Sequence, residues 1–162
     1  MPDLERLKKY QTKIHIDTSA TETPEWARIG KSTVFDLVMN AQTEENDFIE
    51  DEQPTTDVTN YKPEIAEELQ ANKGDPAFDM LYEMFKSRPT GEDVKKKVLL
   101  TFAGNKGTAQ SPEFDGWLTE SSIIIDHFDS VAEKIYFKIN INKIKKGTVT
   151  ESNNTPVFEE DD

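Results

Sequence analysis

The sequence predicts a single, mainly β domain that carries one α-helix. Its 162 residues suffice for one domain with a hydrophobic core and are too few for two ordinary domains. Residues 134–142 alternate between apolar and polar side chains, which is typical of a half-buried strand. Residues 75–86 place apolar side chains three or four positions apart, which indicates an amphipathic helix.

Further strands are predicted before and between these two segments. Residues 12–16 alternate with Ile14 and Ile16 on one side. Residues 33–40 are β-prone, with apolar side chains on one side at Phe35, Leu37 and Met39. Two more β-rich segments occupy residues 97–103 and 121–125, and polar connections are expected at 104–112 and near Asp129.

Residues 62–70, KPEIAEELQ, are ambiguous. Ile65 and Leu69 are four positions apart, as on a helix face, whereas Ile65, Glu67 and Leu69 also fit strand alternation. The residues alone favour a helix slightly.

The predicted helix at residues 75–86 has a clear start and end. Asp75 is expected to cap it and Pro76 to occupy its first position. Pro89 and Gly91 are expected to end it. We expect its apolar face to pack into the core through Phe78, Leu81, Tyr82 and Phe85.

Residues 44–61 are predicted to form an extended hairpin arm. Connections in compact domains are usually about 4 to 6 residues long, so an arm of this length suggests a role of its own. The arm nevertheless contains apolar residues, namely Phe48, Ile49, Val58 and Tyr61. We expect these to be buried against a neighbouring subunit, with Lys95, Lys96 and Lys97 opposing the carboxylates of residues 50–52.

The arm also holds six closely spaced carboxylates, at Glu44, Glu45, Asp47, Glu50, Asp51 and Glu52. A divalent-cation site is the alternative interpretation of this cluster. The order of acids around a central glycine that an EF-hand requires is missing, so a solvated acidic arm is favoured.

Composition excludes several classes of function. The chain has no cysteine, so disulfides, thiolate zinc sites and cysteine nucleophiles are ruled out. Its formal net charge is −13. An acidic protein repels DNA and anionic lipid, so any role with DNA should be repulsive or mimetic. We expect no export signal and no membrane span, since no long apolar run occurs. Residues 148–162 are polar and acidic and are expected to form a flexible tail.

The motif Gly30-Lys31-Ser32-Thr33 contains the last letters of a nucleotide-binding P-loop. A P-loop also needs a glycine five positions earlier, where this chain has Glu25, and a helix directly afterwards, where a strand is predicted. The two histidines, His15 and His127, cannot form a histidine metal triad. We therefore expect no catalytic site, no metal and no cofactor.

Several short motifs together resemble the major tail (tail tube) proteins of long-tailed phages. They are the Trp26-Ala27-Arg28-Ile29-Gly30 stretch, the acidic arm, Tyr61-Lys62-Pro63, and Lys73-Gly74-Asp75-Pro76 at the start of the helix. The resemblance spans roughly residues 12–146. It implies a tail tube fold over residues 1–147, a β-sandwich or barrel of two packed antiparallel sheets with one flanking helix. It also implies that residues 63–70 form a strand, against the slight preference for a helix.

The same resemblance implies a structural virion protein of the phage tail. Six subunits would form a ring, and rings assembled in the host cytoplasm would stack into a tube that conducts DNA during ejection. Its expected partners are its own copies, the tape measure, tail terminator and distal tail proteins, and the DNA in the lumen. Glu64 and Glu67 are the expected lumen residues. The alternative is a soluble acidic DNA mimic that inhibits DNA-binding proteins.

Overall fold

The computed structural model describes residues 3–19 and 21–161 and confirms a mainly β fold with one flanking helix. The predicted features at residues 1, 2, 20 and 162 lie outside the described residues. The strands are β1 (Lys13–Asp17), β2 (Trp26–Arg28), β3 (Asp36–Val38), β4 (Ala41–Asn46), β5 (Thr55–Tyr61), β6 (Glu64–Gln70), β7 (Lys95–Thr101), β8 (Phe114–Asp129), β9 (Lys134–Ser152) and β10 (Thr155–Glu160). The helix α1 spans Pro76–Ser87, and a 3₁₀ turn spans Gly91–Val94.

Eight strands form one antiparallel sheet in the order β2-β1-β7-β8-β9-β6-β3, with β10 paired to β9. The strands β4 and β5 form a separate two-stranded sheet. The large sheet has two halves, because residues 114–120 of β8 pair with residues 143–149 of β9 whereas residues 121–129 pair with residues 134–141. The register shifts where the halves meet, between Glu120 and Ser121, and such a bulge bends and twists a strand pair.

The two halves pack against each other around one core. Ile14 and Ile16 of β1 and Ile65 and Leu69 of β6 belong to the same buried cluster. Four strand spacings separate β1 from β6 along the sheet, which is about 19 Å if the sheet were flat. Their joint burial therefore requires the sheet to fold over itself into the layers of a β-sandwich.

Residues 64–70 form the strand β6, so the strand that the resemblance implies is confirmed and the slight preference for a helix drawn from the residues alone is wrong. Ile65 and Leu69 are both fully buried and pair with Ile139 and Ile135 of β9. Pairing with this apolar strand outweighs the weak local preference for a helix.

The helix α1 begins as predicted. The Asp75 side chain accepts a 3.2 Å hydrogen bond from the Ala77 amide, and Pro76 follows the cap. The helix ends at Arg88, which has a φ of 53° and donates its amide to the Met84 carbonyl. The left-handed residue stops the helix one position before Pro89.

The prediction for the helix core is correct for Phe78 and Leu81, which are buried, and needs a correction at Phe85. Phe85 is 38% exposed, because the inward stripe continues from Leu81 to Met84. Tyr82 is half-buried, and both Tyr82 and Phe85 pack on the flank of the helix against Phe128.

Residues 148–161 are paired, so the prediction of a flexible tail is wrong over this range, and Asp162 lies outside the described residues. The strand β9 continues to Ser152, turns at Asn153 and Asn154, and returns as β10. Both asparagines have positive φ, 51° and 64°, as two-residue hairpin turns require. The sequence signal for this hairpin was the Asn-Asn pair between two segments that contain Thr and Val, residues 148–150 and 155–157, and the polar, acidic composition of the region obscured it.

Candidate functional site

The acidic arm is a hairpin whose two strands, among the described residues, pair only with each other. Its strands β4 and β5 pair from Ala41 opposite Tyr61 to Asn46 opposite Thr55. Every residue of β5 is exposed. At the base, the Lys62 amide donates to the Met39 carbonyl, so the arm is held at one end only.

The apolar residues predicted to form an interface all lie on this hairpin and are exposed. Phe48 and Ile49 lie in the turn and are 54% and 108% exposed, and Val58 and Tyr61 of β5 are about half exposed. Within the described part of the chain, no carboxylate of residues 41–61 forms an ion pair. The hairpin therefore presents apolar and acidic groups that a single subunit leaves in water.

The predicted basic partners of the arm lie at the start of β7. Lys95 already forms a 2.8 Å ion pair with Glu92, and this hydrogen bond raises the pKa of the lysine. Lys97 is exposed and lies opposite Glu120 across the β7–β8 ladder, whereas Lys96 is half-buried. The structure does not bring these lysines against the arm within one subunit.

The two predicted lumen residues point to opposite faces of β6, because they are three positions apart in a strand. Glu64 is partly exposed, and its carboxylate lies 3.9 Å from the Lys138 ammonium. Glu67 is only 5% exposed and faces the core side together with Ile65 and Leu69. The assignment of Glu67 to a solvent-filled lumen is therefore wrong for the free subunit.

The Glu67 carboxyl is buried with incomplete compensation. Its Oε2 accepts a 2.8 Å hydrogen bond from the Ser32 hydroxyl, and its Oε1 has no partner among the described residues. Burial raises the pKa of Glu67 to about 7, and the Ser32 hydrogen bond opposes that rise.

Glu67 forms part of a pocket of about 480 Å³ that sequence reasoning missed. We call it the basic pocket; Glu67 lines it together with Lys9, Tyr10, Thr12, Lys13, Ile14, Arg28, Ile29, Gly30, Ser32, Thr33, Val34 and Phe35. It lies between β1, β6 and the connection at residues 29–35. A signal was present in the sequence, because six of the nineteen Lys and Arg residues precede position 32 and none falls in residues 32–61.

The Gly30-Lys31-Ser32-Thr33 motif forms one wall of this pocket. Residues 29–35 form no helix, and Ser32 and Thr33 bond to the carboxylates of Glu67 and Glu68. A phosphate cradle needs amides at a helix start, and this wall presents side chains to carboxylates instead.

The histidines lie on different strands with different environments. His15 of β1 is buried, and burial together with the Arg28 charge lowers its pKa to about 4. His127 of β8 stacks on Tyr136 at 4.3 Å and lies 2.6 Å from the Asp126 carboxylate. Across residues 3–19 and 21–161, no group of three metal-ligating side chains could hold a metal ion.

No α-helix in the described residues has the length and apolar character needed to cross a bilayer. Comparison of the chain with protein-family models and with curated proteins gives no match.

Proposed function

We propose that the chain is a structural virion protein, the subunit of a phage tail tube. Six copies form a ring, rings stack into a tube, and the tube conducts DNA into the host during ejection. The sequence motifs that resemble major tail proteins support this proposal, as does the β-sandwich with one flanking helix.

One observation carries the proposal, which is the unpacked hairpin of β4 and β5. An isolated two-stranded hairpin is at best marginally stable in water, and large apolar groups at its turn are costly unless they are covered. Phe48 and Ile49 are exposed at this turn. A neighbouring copy that covers them accounts for both the length of the arm and its composition.

The acidity of the chain suits a conduit for DNA. A basic bore would bind duplex nonspecifically at roughly 10⁻⁴ to 10⁻⁶ M per site, and many such sites along a tube would retain the genome. A net charge of −13 per subunit instead favours a bore that repels phosphate. Of the two expected lumen residues, Glu64 keeps this role in the proposal.

The other proposed partners are the proteins at the two tube ends and inside the tube, namely the tail terminator, the distal tail and the tape measure proteins. The chain is proposed to assemble in the host cytoplasm and to act in the virion without catalysis. The soluble DNA mimic shares the acidity, but a mimic does not require an apolar turn at the end of a long arm.

Size-exclusion chromatography with light scattering, followed by negative-stain microscopy, tests the proposal on the purified chain. Hexamers, rings or tubes are expected. A compact monomer or dimer that inhibits a DNA-binding protein would favour the mimic and overturn the tube.

A further inference from the structure

We propose that the turn of the hairpin in one copy docks in the basic pocket of a second copy. We call residues 47–54 the hairpin tip. This inference rests on the proposed self-assembly and adds the surface that receives the arm.

The basic pocket combines an apolar floor with an apolar mouth. Ile14 and Ile29 in its lining are buried. Val34 and Phe35 also line it, and they are 42% and 41% exposed. Its volume of about 480 Å³ is typical of pockets that bind small molecules. Such a pocket is large enough to hold two apolar side chains.

The rim of the pocket is basic in a strongly acidic chain. Lys9, Lys13 and Arg28 line it, against one carboxyl, that of Glu67. Arg28 donates a 3.3 Å hydrogen bond to the Tyr10 carbonyl. Because a carbonyl carries no formal charge, this contact does not neutralise the guanidinium. Lys13 pairs with Glu151. Lys9 and Arg28 form no ion pair among the described residues, so these two cations are the ones that attract an anionic partner.

Glu67 shows that the pocket is incomplete in a single subunit. Its side chain is almost fully buried, and its Oε1 lacks a hydrogen-bond partner among the residues that the structure describes. A buried polar atom without a hydrogen-bond partner is destabilising, so an occupant that donates a hydrogen bond to Oε1 binds more favourably there. Backbone amides of an incoming turn are suitable donors.

The hairpin tip has the complementary pattern. Phe48 and Ile49 are exposed apolar side chains, and they are flanked by the carboxylates of Asp47 and of residues 50–52. The seven residues of β5 carry the tip roughly 20 Å from the base of the hairpin. Apolar contacts in the pocket and opposite charges around it would act together, as in protein interfaces with an apolar centre and a polar rim.

The lysines of β7 are a poorer match for the tip. Lys95 already pairs with Glu92, and Lys97 lies opposite Glu120. None of the three β7 lysines lines the basic pocket. Charge attraction alone at an exposed site contributes little.

Disulfide trapping tests the docking directly, because the chain has no native cysteine. One protein carries Ile49→Cys and a second carries Val34→Cys, and the two are mixed and oxidised with diamide. Disulfide-linked heterodimers are expected. The matched control pairs Ile49→Cys with Lys97→Cys, whose side chain is exposed, and little cross-linking is expected.

Charge exchange provides the second measurement. The double variant Lys9→Glu, Arg28→Glu should reduce the amount of assembled protein, measured by light scattering, by at least about tenfold. Glu50→Lys with Asp51→Lys in the same chain should restore it. The trapping experiment decides the outcome if the reversed variant does not fold.

The outcomes separate this inference from the proposed function. Tubes whose Ile49→Cys chain cross-links to Lys97→Cys, or to neither position, overturn the docking and leave the tube proposal standing. A monomeric parent with no cross-link at either position overturns both. Cross-links between positions 49 and 34 alone support the docking.

Discussion

The Ser32 hydroxyl donates a 2.8 Å hydrogen bond to the Glu67 carboxylate. Among the described residues, no other side chain forms a hydrogen bond with Glu67. The connection between β2 and β3 is thereby fixed to β6, on the side of the strand that also carries Ile65 and Leu69. Burial is the largest influence on the pKa of this carboxyl, and it favours the protonated form over the charged form.

The first prediction concerns pH. The pKa of Glu67 is about 7 in the folded chain against 4.5 for the ordinary group, so the folded state binds more protons between these values. Stability contributed by the protonated carboxyl is full below pH 4.5 and is lost as pH rises through 7. The loss is at most about 3 kcal/mol. Glutamine does not ionise, so Glu67→Gln should not show this loss of stability. The variant should therefore become more stable relative to the parent as pH rises from 4.5 to 8.

Urea unfolding of both proteins at matched pH values measures this difference. The comparison must be made against the parent, because His15 acts in the opposite direction in both proteins. The pKa of His15 falls from 6.5 to about 4, so its contribution is full above pH 6.5 and is lost as pH falls toward 4. A parent-to-variant difference that stays constant with pH would contradict the burial of an ionisable Glu67.

The second prediction separates two positions of α1. Leu81 is fully buried and Phe85 is 38% exposed. Leu81→Ala should cost about 3 kcal/mol through lost burial and a cavity, and Phe85→Ala should cost clearly less than the roughly 3 to 5 kcal/mol of a buried phenylalanine. Thermal and urea unfolding give both values. Equal losses would mean that Phe85 is covered, either within the subunit or by a neighbour.

The third prediction concerns the C-terminal hairpin. A Cβ on Gly147 would lie 2.2 Å from the Glu159 carbonyl oxygen and 2.6 Å from the Phe158 ring. Gly147→Ala should displace β10 from β9 and cost about 1 to 3 kcal/mol. Hydrogen exchange should show faster exchange at the β10 amides. Gly30→Ala is the matched control, because the nearest atom to its Cβ would be 3.9 Å away.

Faster exchange in the control as well, or unchanged protection in Gly147→Ala, would argue against the close β9–β10 pairing.

Local patterns predicted most elements of the fold, but they failed where long-range pairing decided the structure. The cap at Asp75 and the alternation from Ile135 to Ile141 are local signals, and both are confirmed. The strand β6 and the full lengths of β8 and β9 depend on partners distant in the chain, which periodicity does not reveal. The strand β3 is short for a similar reason, since only Asp36, Leu37 and Val38 pair with β6.

The candidate site divides in the same way. The exposure of Phe48 and Ile49 followed from an arm too long and too acidic to be buried. The excess of basic residues before position 32 was a trace of the basic pocket, but it does not show that Lys9, Arg28 and Glu67, from three separate segments, come together. Glu67 was wrongly assigned to the lumen because its charge was given more weight than its position. It is two residues from Ile65 in the strand and therefore lies on the same, buried face.

The fourth prediction concerns the lumen. If Glu64 faces the bore, Glu64→Lys should permit assembly and make tubes retain duplex DNA at low salt, with release as salt rises. Glu64→Gln, which removes the charge without reversing it, should retain less. The measurement is DNA co-sedimentation with tubes across a salt series. Glu64→Lys tubes that bind no more DNA than the parent would remove Glu64 from the lumen.

The fifth prediction concerns the central claim, that the hairpin arm assembles the tube. Glu44 pairs with Asp57, so replacing residues 45–56 by Asn-Gly closes a shorter hairpin without altering the remaining register. The matched control is the full-length arm with Thr56→Ser, a small change on exposed β5. Circular dichroism should show the same fold in both proteins.

Negative-stain microscopy of the parent, the control and the shortened variant at equal concentration tests this claim most directly. We predict tubes from the parent and the control, and folded subunits or single rings from the shortened variant. Long tubes from the shortened variant would contradict the account.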